Sequence, residues 1–419
     1  MSKLEQIKQN IVVVNPPKVS PDPILSLSKR YTQDTRPRKM NLSLGVSLDD
    51  KGEPHMPRQV ARALAEVGEE FMEYVRNGNP PSHSISYLPI RGDSEFLYWV
   101  KVRLIGEDYR VCCQSQGATG AINLALGHAA EVFNANSVVV QTPSWPNYRN
   151  IAREKRYECI ETEYLGSDGK PSVENFLNAL DQKTRVVGIL QLTCHNPTGI
   201  DYSEEDIKII ANYFRENARD HKILVVDFSY NGFIDFERER QILEIVKHCP
   251  HYLCYSCSKN FGAYALRVGV VAWTGADCVN TDLESMEANF EPLIRGINSN
   301  PSATGAHVVK MVLCEELPFL QWRQEVVEIR DRMRQRRTSL AKALPSSVRN
   351  LVDQQNGMFA FLPSNLLREA PQKIQEILIA QHAVYTVGLP SGLRINVSGL
   401  PDDTAAQRVG ELLQQFITE

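Results

Sequence analysis

One segment of the sequence places a lysine where its amine could act as a nucleophile. Lys259 lies in Tyr255-Ser-Cys-Ser-Lys-Asn-Phe-Gly262, which follows an apolar run and precedes Arg267. The carboxyl ends of strands in an open α/β sheet are the places where ligands bind. Desolvation or nearby cations can remove the proton from such a lysine, which can then attack a carbonyl carbon. A solvated lysine at a strand-to-loop junction would have the same local sequence.

Two further segments place polar side chains after apolar runs. In Val225-Val-Asp227-Phe-Ser-Tyr230, a carboxylate ends a run of strand-forming residues. Such a carboxylate can hold a heterocyclic nitrogen protonated, cap a helix or form a structural ion pair. His195-Asn-Pro-Thr-Gly199 has strong turn chemistry, because proline fixes φ and glycine permits positive φ. An ordinary tight turn and a binding loop that presents Asn196 both fit this segment.

Two segments could bind anionic groups. Gln116-Gly-Ala-Thr-Gly-Ala121 opens the helical run Ile122–Phe133, and its small residues allow backbone N–H groups to approach a phosphate. It matches neither a dinucleotide fingerprint nor a P-loop, and glycine-rich helix starts are common without a ligand. Arg394, in Gly392-Leu-Arg-Ile-Asn-Val397, could hold a carboxylate through two parallel hydrogen bonds. A surface arginine beside a carboxylate is the structural alternative.

The elements that must position these residues alternate between strands and helices. Several predicted strands are apolar on both faces, as in a buried parallel sheet. Between them, Glu204–Arg219 predicts a helix, and Ser203 with Asp206 resembles a capping box at its start. This alternation predicts an α/β sheet with crossover connections. The predicted strands are Ser137–Gln141, Thr184–Leu192, Ile223–Asp227, Tyr252–Tyr255 and Val268–Trp273.

The pattern changes after about residue 315, where a smaller α+β domain is predicted. The first 50 residues, with prolines at positions 16, 17, 21 and 23, predict an extended arm that packs on this domain or on another subunit. We therefore expect an arm with part of the small domain over 1–50, a large domain over 51–318 and the small domain over 319–419. The C-terminal elements predicted are helices Leu320–Leu344 and Thr404–Phe416, and strands near Met358–Leu362 and Leu393–Val397.

Composition excludes several classes of protein. The chain has 419 residues, 42% hydrophobic and 23% charged, which is the globular range and suggests two domains. Its net charge of −4 argues against a nucleic-acid partner. The polar start and the lack of an apolar run of about 20 residues predict a cytoplasmic protein without a membrane segment. The nine scattered cysteines predict reduced thiols, and the single CxxC, Cys254 with Cys257, lacks the second pair that a zinc ribbon needs. We therefore expect no metal.

Taken together, the order of these motifs resembles the aspartate/aromatic aminotransferase group of class I, fold-type-I enzymes, which use pyridoxal 5'-phosphate. The resemblance runs from about Asn41 to Gly399. The lysine block with an arginine eight residues later is its most specific part. The matching blocks are Tyr87-Leu-Pro-Ile-Arg-Gly92, Thr142-Pro-Ser-Trp145, His195-Asn-Pro-Thr-Gly199, Ser256-Cys-Ser-Lys-Asn-Phe-Gly262 and Arg394-Ile-Asn-Val397.

The resemblance implies a fold and an activity. The expected fold is a large domain built on a mostly parallel, seven-stranded sheet, together with a smaller α+β domain. The expected reaction moves an amino group between an aspartate-like or aromatic L-amino acid and a 2-oxo acid such as 2-oxoglutarate. A homodimer with shared active sites is also implied.

The resemblance further implies roles for individual residues. Lys259 would carry the cofactor as a Schiff base and move the proton, Asp227 would pair with the ring nitrogen, and Tyr230 and Asn196 would bind the phenolic oxygen. Trp145 would stack on the ring. The other implied cofactor-binding residues are Gly117, Ala118, Thr119, Ser256, Ser258, Arg267 and, from the neighbouring subunit, Tyr87. The implied substrate-binding residues are Gly45, Trp145, Asn196, Arg394 and, from the neighbouring subunit, Arg295.

The sequence departs from the family pattern at a few positions. Tyr148 and Gln191 stand where the family commonly has histidine, and Ser47 stands where it often has an aromatic residue. Ala265 and Leu266 replace a usual polar pair. These departures leave open a second reaction class with the same cofactor, namely elimination or replacement, decarboxylation or oxidation of an amino acid. A non-catalytic, cofactor-binding regulatory module is a third alternative, but no segment resembles the DNA-binding domain that such modules usually carry.

Overall fold

The described part of the chain begins with helix α1, Pro23–Gln33, and the short strand β1, Met40–Asn41. The structure is a computed structural model that describes residues 23–418, with side chains from residue 26 onward. The expected extended arm is wrong over Pro23–Gln33, because proline is well tolerated in the first turn of a helix. Leu27 of α1 packs in a small apolar cluster with Tyr385. The prolines at positions 16, 17 and 21 lie outside the described residues.

A seven-stranded sheet forms the centre of the molecule. Its spatial order is β2-β8-β7-β6-β5-β3-β4. β8 is antiparallel to both of its neighbours, and all other neighbouring pairs are parallel. The mostly parallel sheet predicted from the sequence is therefore confirmed. The strands are β2 Val111–Ser115, β3 Ser137–Thr142, β4 Glu158–Glu163, β5 Val186–Gln191, β6 Ile223–Phe228, β7 His251–Ser256 and β8 Gly269–Thr274.

Helices cover both faces of this sheet. Since successive side chains of a strand point to opposite faces, Val138 and Val140 belong to one apolar core cluster while Val139 belongs to the other. The predicted capping box of Ser203 and Asp206 is present at the start of α7. These helices are α2 Arg58–Asn77, α3 Ser94–Val100, α4 Gly117–Phe133, α5 Asn147–Glu154, α6 Val173–Asp181, α7 Glu204–Glu216, α8 Phe236–Val246, α9 Leu283–Ala288, α10 Phe290–Asn298 and α11 Ala303–Cys314.

The C-terminal part is built on a small antiparallel sheet with the order β11-β12-β9. A separate two-stranded parallel pair joins β1 to β10. Residues from the N-terminal segment thus pack on the C-terminal elements. These elements are α12 Glu316–Lys342, α13 Ser346–Asp353, β9 Phe359–Pro363, α14 Pro371–His382, β10 Val384–Tyr385, β11 Val387–Leu389, β12 Gly392–Asn396 and α15 Asp403–Gln414.

The helices between residues 23 and 418 also bear on the expectation of no membrane segment. None of them is both long enough and apolar enough to cross a bilayer.

Candidate active site

A cavity of about 360 Å³ opens where the parallel strands β5, β6 and β7 reach their carboxyl ends. This is the edge at which an α/β sheet binds its ligands. Most of the residues that the sequence predicted for the site line this one cavity. The lining residues are Gly45, Ala118, Thr119, Trp145, Gln191, Asn196, Asp227, Ser229, Tyr230, Ser256, Ser258, Lys259, Tyr264, Arg267 and Arg394.

The amine of Lys259 lies in the cavity on the turn that follows β7. Its Nζ donates a hydrogen bond to the carbonyl oxygen of Gly45 and lies 5.1 Å from the centre of the Tyr264 ring. Burial, together with the positive charges of Arg267 and Arg394, lowers the pKa of this amine to about 8. An appreciable fraction of the amine is therefore neutral near physiological pH, as a nucleophile or a proton acceptor requires.

The carboxylate of Asp227 is held near the carboxyl end of β6 and is only 4% exposed. Its Oδ1 accepts hydrogen bonds from the Ser229 N–H at 3.1 Å and from the Ser229 hydroxyl at 2.5 Å. Its Oδ2 accepts one from the Tyr148 hydroxyl at 2.6 Å. Burial raises the pKa of Asp227, and these hydrogen bonds oppose the rise because they favour the charged form. The site can thus present a buried negative charge to a cationic ligand atom.

A buried arginine forms another wall of the cavity. Arg394 on β12 is 3% exposed, and burial lowers its pKa to about 10, which leaves it charged at neutral pH. Its Nη1 donates to Asn196 Oδ1 at 3.0 Å, and its Nη2 donates to the Ser43 carbonyl at 2.7 Å. Its Nε has no partner among the described residues. The arrangement suits a carboxylate ligand, which can accept the remaining hydrogen bonds of the guanidinium.

The position of Asn196 depends on one of the departures noted in the sequence. Gln191 ends β5, and its Oε1 accepts the Asn196 backbone N–H at 3.1 Å. Its Nε2 donates to the carbonyl of Cys194 at 3.2 Å. A neutral amide therefore fastens the loop that carries Asn196 at the place where the family often has a histidine.

The end of the cavity beside the start of α4 has groups that could bind an anion. Ala118 and Thr119 line the cavity there, in the first turn of a 17-residue helix whose N–H groups and dipole attract anions. The Arg267 guanidinium approaches from β8's side and donates to Ser258 Oγ at 3.4 Å and to the Gln116 carbonyl. Gly117 has φ +64°, and a Cβ there would lie 3.2 Å from Arg267 Nη2. Glycine at this position leaves room for the arginine.

Aromatic side chains form the remaining walls. Trp145 lines the cavity, and the Tyr148 ring meets it edge to face, with ring centres 5.3 Å apart. Tyr230 is 5% exposed, and burial raises the pKa of its phenol. A flat heterocycle could therefore lie against Trp145 while its polar edge meets Tyr230.

Three residues predicted for the site do not line the cavity. Gly117 lies just behind it, as described above. Tyr87 is 85% exposed, and Arg295 on α10 is also exposed. Both were expected to serve the site of a neighbouring subunit, and that expectation stays a prediction.

The segment before Tyr87 is fastened by a cluster of polar side chains. Glu70 accepts hydrogen bonds from the N–H and the hydroxyl of Ser82 and contacts His83 Nδ1 at 3.2 Å. The His83 ring stacks on that of His307, whose Nε2 contacts the Ser82 hydroxyl at 3.3 Å. Because these residues already pair with one another, the cluster explains how α2 and α11 hold this segment.

Three residues that line the cavity were not predicted as site residues, namely Gln191, Ser229 and Tyr264. The sequence marked Gln191 only as a departure from the family pattern. Ser229 lies within the segment around Asp227, and a polar residue two positions after an aspartate is a signal for hydrogen bonding back to its carboxylate. Tyr264 gave no local signal, because its hydroxyl accepts the backbone N–H of Ser47, far away in the sequence.

The site can be tested against the cofactor that the resemblance implies. Pyridoxal phosphate needs an amine for its aldehyde, a carboxylate for its ring nitrogen and a site for its phosphate. Lys259 and Asp227 supply the first two in one cavity, and Arg267 with the start of α4 supplies the third. The buried charge of Asp227 is bonded by hydroxyl and amide donors, so a cationic ring nitrogen would complete its pairing. The residues present therefore fit this group.

Comparisons with known proteins agree with this chemistry. Residues 37–412 match the family described as Aminotransferase class I and II. An aspartate aminotransferase of Escherichia coli (strain K12) is 30% identical over 401 residues, which cover 92% of this chain and 95% of that protein. An aromatic-amino-acid aminotransferase of Pseudomonas aeruginosa is 31% identical over 420 residues, covering 96% and 98%.

The fold is shared with solved structures. A crystal structure of an aromatic-amino-acid aminotransferase from Burkholderia pseudomallei, described as covalently bound to pyridoxal phosphate, superimposes with a TM-score of 0.81. It is 24% identical, and the match covers 100% of both chains. The chain therefore belongs to the class I and II aminotransferase family, and it is a pyridoxal-phosphate-dependent aminotransferase.

Proposed function

We propose that the cavity around Lys259 moves an amino group from an aspartate-like or aromatic L-amino acid to a 2-oxo acid such as 2-oxoglutarate. The observation that supports this is the presence of a partly neutral amine, a buried carboxylate and a buried arginine in one cavity. The two substrate classes follow the names of the relatives, which are an aspartate and an aromatic-amino-acid aminotransferase. When bound, pyridoxal phosphate supplies an aldehyde carbon and a cationic ring that withdraws electrons.

The proposed catalytic residues are Lys259, Asp227 and Tyr230, which all line the cavity. Lys259 Nζ would hold the cofactor through its aldehyde, and as a free amine it would serve as the base that carries a proton to and from the substrate Cα. One base that reaches both the substrate Cα and the aldehyde carbon is sufficient for transamination. Asp227 would hold the ring nitrogen protonated, and the Tyr230 hydroxyl with Asn196 would bind the phenolic oxygen.

The other residues of the cavity bind and orient. Arg394 and Asn196 hold the substrate α-carboxylate beside Gly45, which fixes the Cα–H bond relative to the ring. Trp145 covers the ring face. The remaining proposed cofactor-binding residues, which would form the anion site, are Gly117, Ala118, Thr119, Ser256, Ser258, Arg267 and, from a neighbouring subunit, Tyr87.

A paired assay tests this reaction class directly. The purified protein is mixed with a panel of amino acids, and 2-oxo acid formation is measured with and without 2-oxoglutarate. Product that appears only when 2-oxoglutarate is present supports amino transfer. Equal product in both cases would mean elimination or oxidation, which the names of the relatives do not favour.

The lowered pKa of Lys259 predicts how covalent attachment depends on pH. Only the neutral amine attacks an aldehyde, so the rate of attachment should rise with pH and level off above about 8. Rapid mixing of the cofactor-stripped protein with pyridoxal phosphate, followed by absorbance, measures this rate. A rate that keeps rising towards 10.5, the ordinary lysine value, would contradict the assignment.

The proposed role of Arg295 predicts a selective loss. Arg295→Ala should reduce kcat/KM for aspartate and 2-oxoglutarate by about tenfold to a hundredfold, because a hydrogen-bonded charge pair with their second carboxylate is lost. Activity with neutral aromatic substrates should change far less. Arg240→Ala, at another exposed arginine outside the cavity, is the matched control. Equal losses for both substrate classes would remove Arg295 from substrate recognition.

We further propose a homodimer in which each subunit completes the other's site. Several large apolar side chains are exposed in the same regions as Tyr87 and Arg295, which a subunit interface would cover. They are Met72, Tyr74, Val75, Ile85 and Ile297.

Two further proposals concern organisation and location. The domain limits remain 1–50 for the arm with part of the small domain, 51–318 for the large domain and 319–419 for the small domain. The proposed location is the cytoplasm, where thiols stay reduced, and all nine cysteines are free in the structure. The proposed partners are small molecules and a second copy of the chain, without nucleic acid or membrane.

A further inference from the structure

Tyr148, which departs from the family pattern, contacts the buried carboxylate of Asp227. It lies on α5 and is 2% exposed. Its hydroxyl donates a hydrogen bond of 2.6 Å to Asp227 Oδ2. The family commonly has a histidine at this place, so the donor to Asp227 in this chain is a phenol instead of an imidazole.

Hydrogen bonds from the described residues occupy three of the four acceptor positions of the Asp227 carboxylate. A carboxylate offers about four acceptor positions, two on each oxygen. Oδ1 accepts two hydrogen bonds, both from Ser229. Oδ2 accepts one from Tyr148. One position therefore remains on Oδ2, which is what a single ring N–H requires.

The donors that surround Asp227 do not titrate near neutral pH. Ser229 donates through an amide and a hydroxyl, and burial raises the pKa of the Tyr148 phenol well above its ordinary value. Tyr230 and Cys254, which also face this group, have pKa values raised by burial and stay neutral. Lys259 is the ionisable cation whose charge acts on Asp227. A tyrosine at 148 thus supplies a donor that stays neutral at physiological pH.

The same ring also supports Trp145. The two rings meet edge to face, with centres 5.3 Å apart and planes at 89°, a favourable geometry for an aromatic pair. Tyr148 therefore contacts both groups proposed to grip the heterocycle, one at its nitrogen and one at its face. Phenylalanine at 148 would keep the ring contact and remove only the hydrogen bond.

We propose that Tyr148 is a positioning residue that keeps Asp227 ionised and directs its last acceptor position to the ring nitrogen, while its ring holds Trp145 in place. This rests on the proposed role of Asp227. A hydrogen bond donated to a carboxylate stabilises its charged form. The proton between the ring nitrogen and Asp227 would be shared by these two groups. Without the phenol, Asp227 would become more basic and would draw this proton from the ring nitrogen. The ring then withdraws electrons less strongly.

The experiment compares Tyr148→Phe with Tyr157→Phe in the full-length holoenzyme. Tyr157 is the matched control, because it is a buried phenol that donates to the Leu126 carbonyl and lies outside the cavity. The readouts are kcat and KM, the dissociation constant of pyridoxal phosphate, the visible spectrum and the nuclear magnetic resonance shift of an isotope-labelled ring nitrogen. The last reports directly whether that nitrogen is protonated.

We expect Tyr148→Phe to lower kcat by about tenfold with little change in KM, the size of one hydrogen bond to a charged group. Its ring-nitrogen resonance should move towards the unprotonated position, and pyridoxal phosphate should bind more weakly. Tyr157→Phe should leave the resonance and kcat unchanged, although it too loses a buried hydrogen bond. A Tyr148→Phe enzyme with the wild-type resonance and kcat would overturn the proposal, as would identical losses in both variants.

Asp227→Asn separates this inference from the proposed function. If Asp227→Asn shifts the resonance and Tyr148→Phe does not, the role of Tyr148 fails and that of Asp227 stands. If Asp227→Asn leaves both the resonance and kcat unchanged, the proposed function of the carboxylate fails, and the role of Tyr148 fails with it.

Discussion

Replacing Lys259 with alanine should abolish covalent attachment of pyridoxal phosphate and lower turnover about ten-thousand-fold or more. The variant loses a nucleophile and a proton carrier at once, and general acid–base catalysis alone contributes up to about ten-thousand-fold. The neighbouring side chains cannot replace the amine, because Asp227 and Arg394 are held by hydrogen bonds of their own. Borohydride reduction of the holoenzyme followed by mass spectrometry measures attachment, and an aminotransferase assay measures turnover.

The control for this experiment is Lys247→Ala. Lys247 pairs with Asp108 and Glu244 and does not line the cavity. It should keep the visible absorbance of the bound cofactor and the wild-type turnover. A Lys259→Ala protein that retained full activity would contradict the assignment of Lys259 as the residue that carries the cofactor. A reduced cofactor found on another lysine would contradict it too.

Asp227→Asn should reduce kcat by about a thousandfold. Removing one partner of a buried charge pair costs about 3–5 kcal/mol, and each 1.36 kcal/mol is about tenfold in rate. Asparagine has nearly the same shape, so the loss reports the missing charge. Steady-state kinetics at saturating substrate provide the measurement.

Asp181→Asn is the comparison for the change of aspartate to asparagine. Asp181 pairs with Lys222 at 2.7 Å and does not line the cavity. Turnover should stay close to wild type in this variant. If Asp227→Asn were equally mild, a cationic ring nitrogen could not be the partner of that carboxylate.

The strands that carry the site could be predicted because each is an apolar run. Ile223–Phe228 and His251–Ser256 are fully buried, so their sequences lack the polar positions of a half-exposed strand. Both edge strands were missed. One is the short strand Val111–Ser115. The other is Glu158–Glu163, in which three of the six residues are glutamates and most side chains are exposed. Such a strand is defined by its pairing with β3, which no local pattern records.

The residues of the site also divide into those that a local sequence pattern indicates and those that only the fold brings together. Lys259, Asp227 and Asn196 lie in segments whose types and spacing are informative, and the structure brings them into one cavity. Contacts between distant segments were not predictable. Two examples are the hydrogen bonds from the Ser47 N–H to Tyr264 and from the Tyr148 phenol to Asp227. Each forms only because elements that are distant in the sequence lie close together in the fold.

The wall that would hold the substrate carboxylate is built from both ends of the chain. β1 pairs with β10, and Arg394 Nη2 binds the Ser43 carbonyl. Asn396 Nδ2 donates to the carbonyls of Leu44 and Val46. Several residues near position 40 thus find their partners near position 390.

Because residues near position 40 pair with residues near position 390, the parts of the site are completed in a definite order during synthesis. Asp227 and Lys259 emerge long before Arg394, so a growing chain has every strand of the central sheet while the opposite wall is still unmade. Domains generally form as units during synthesis, with N-terminal parts first. The opposite wall can form only after the C-terminal residues that carry Arg394 and Asn396 have been made.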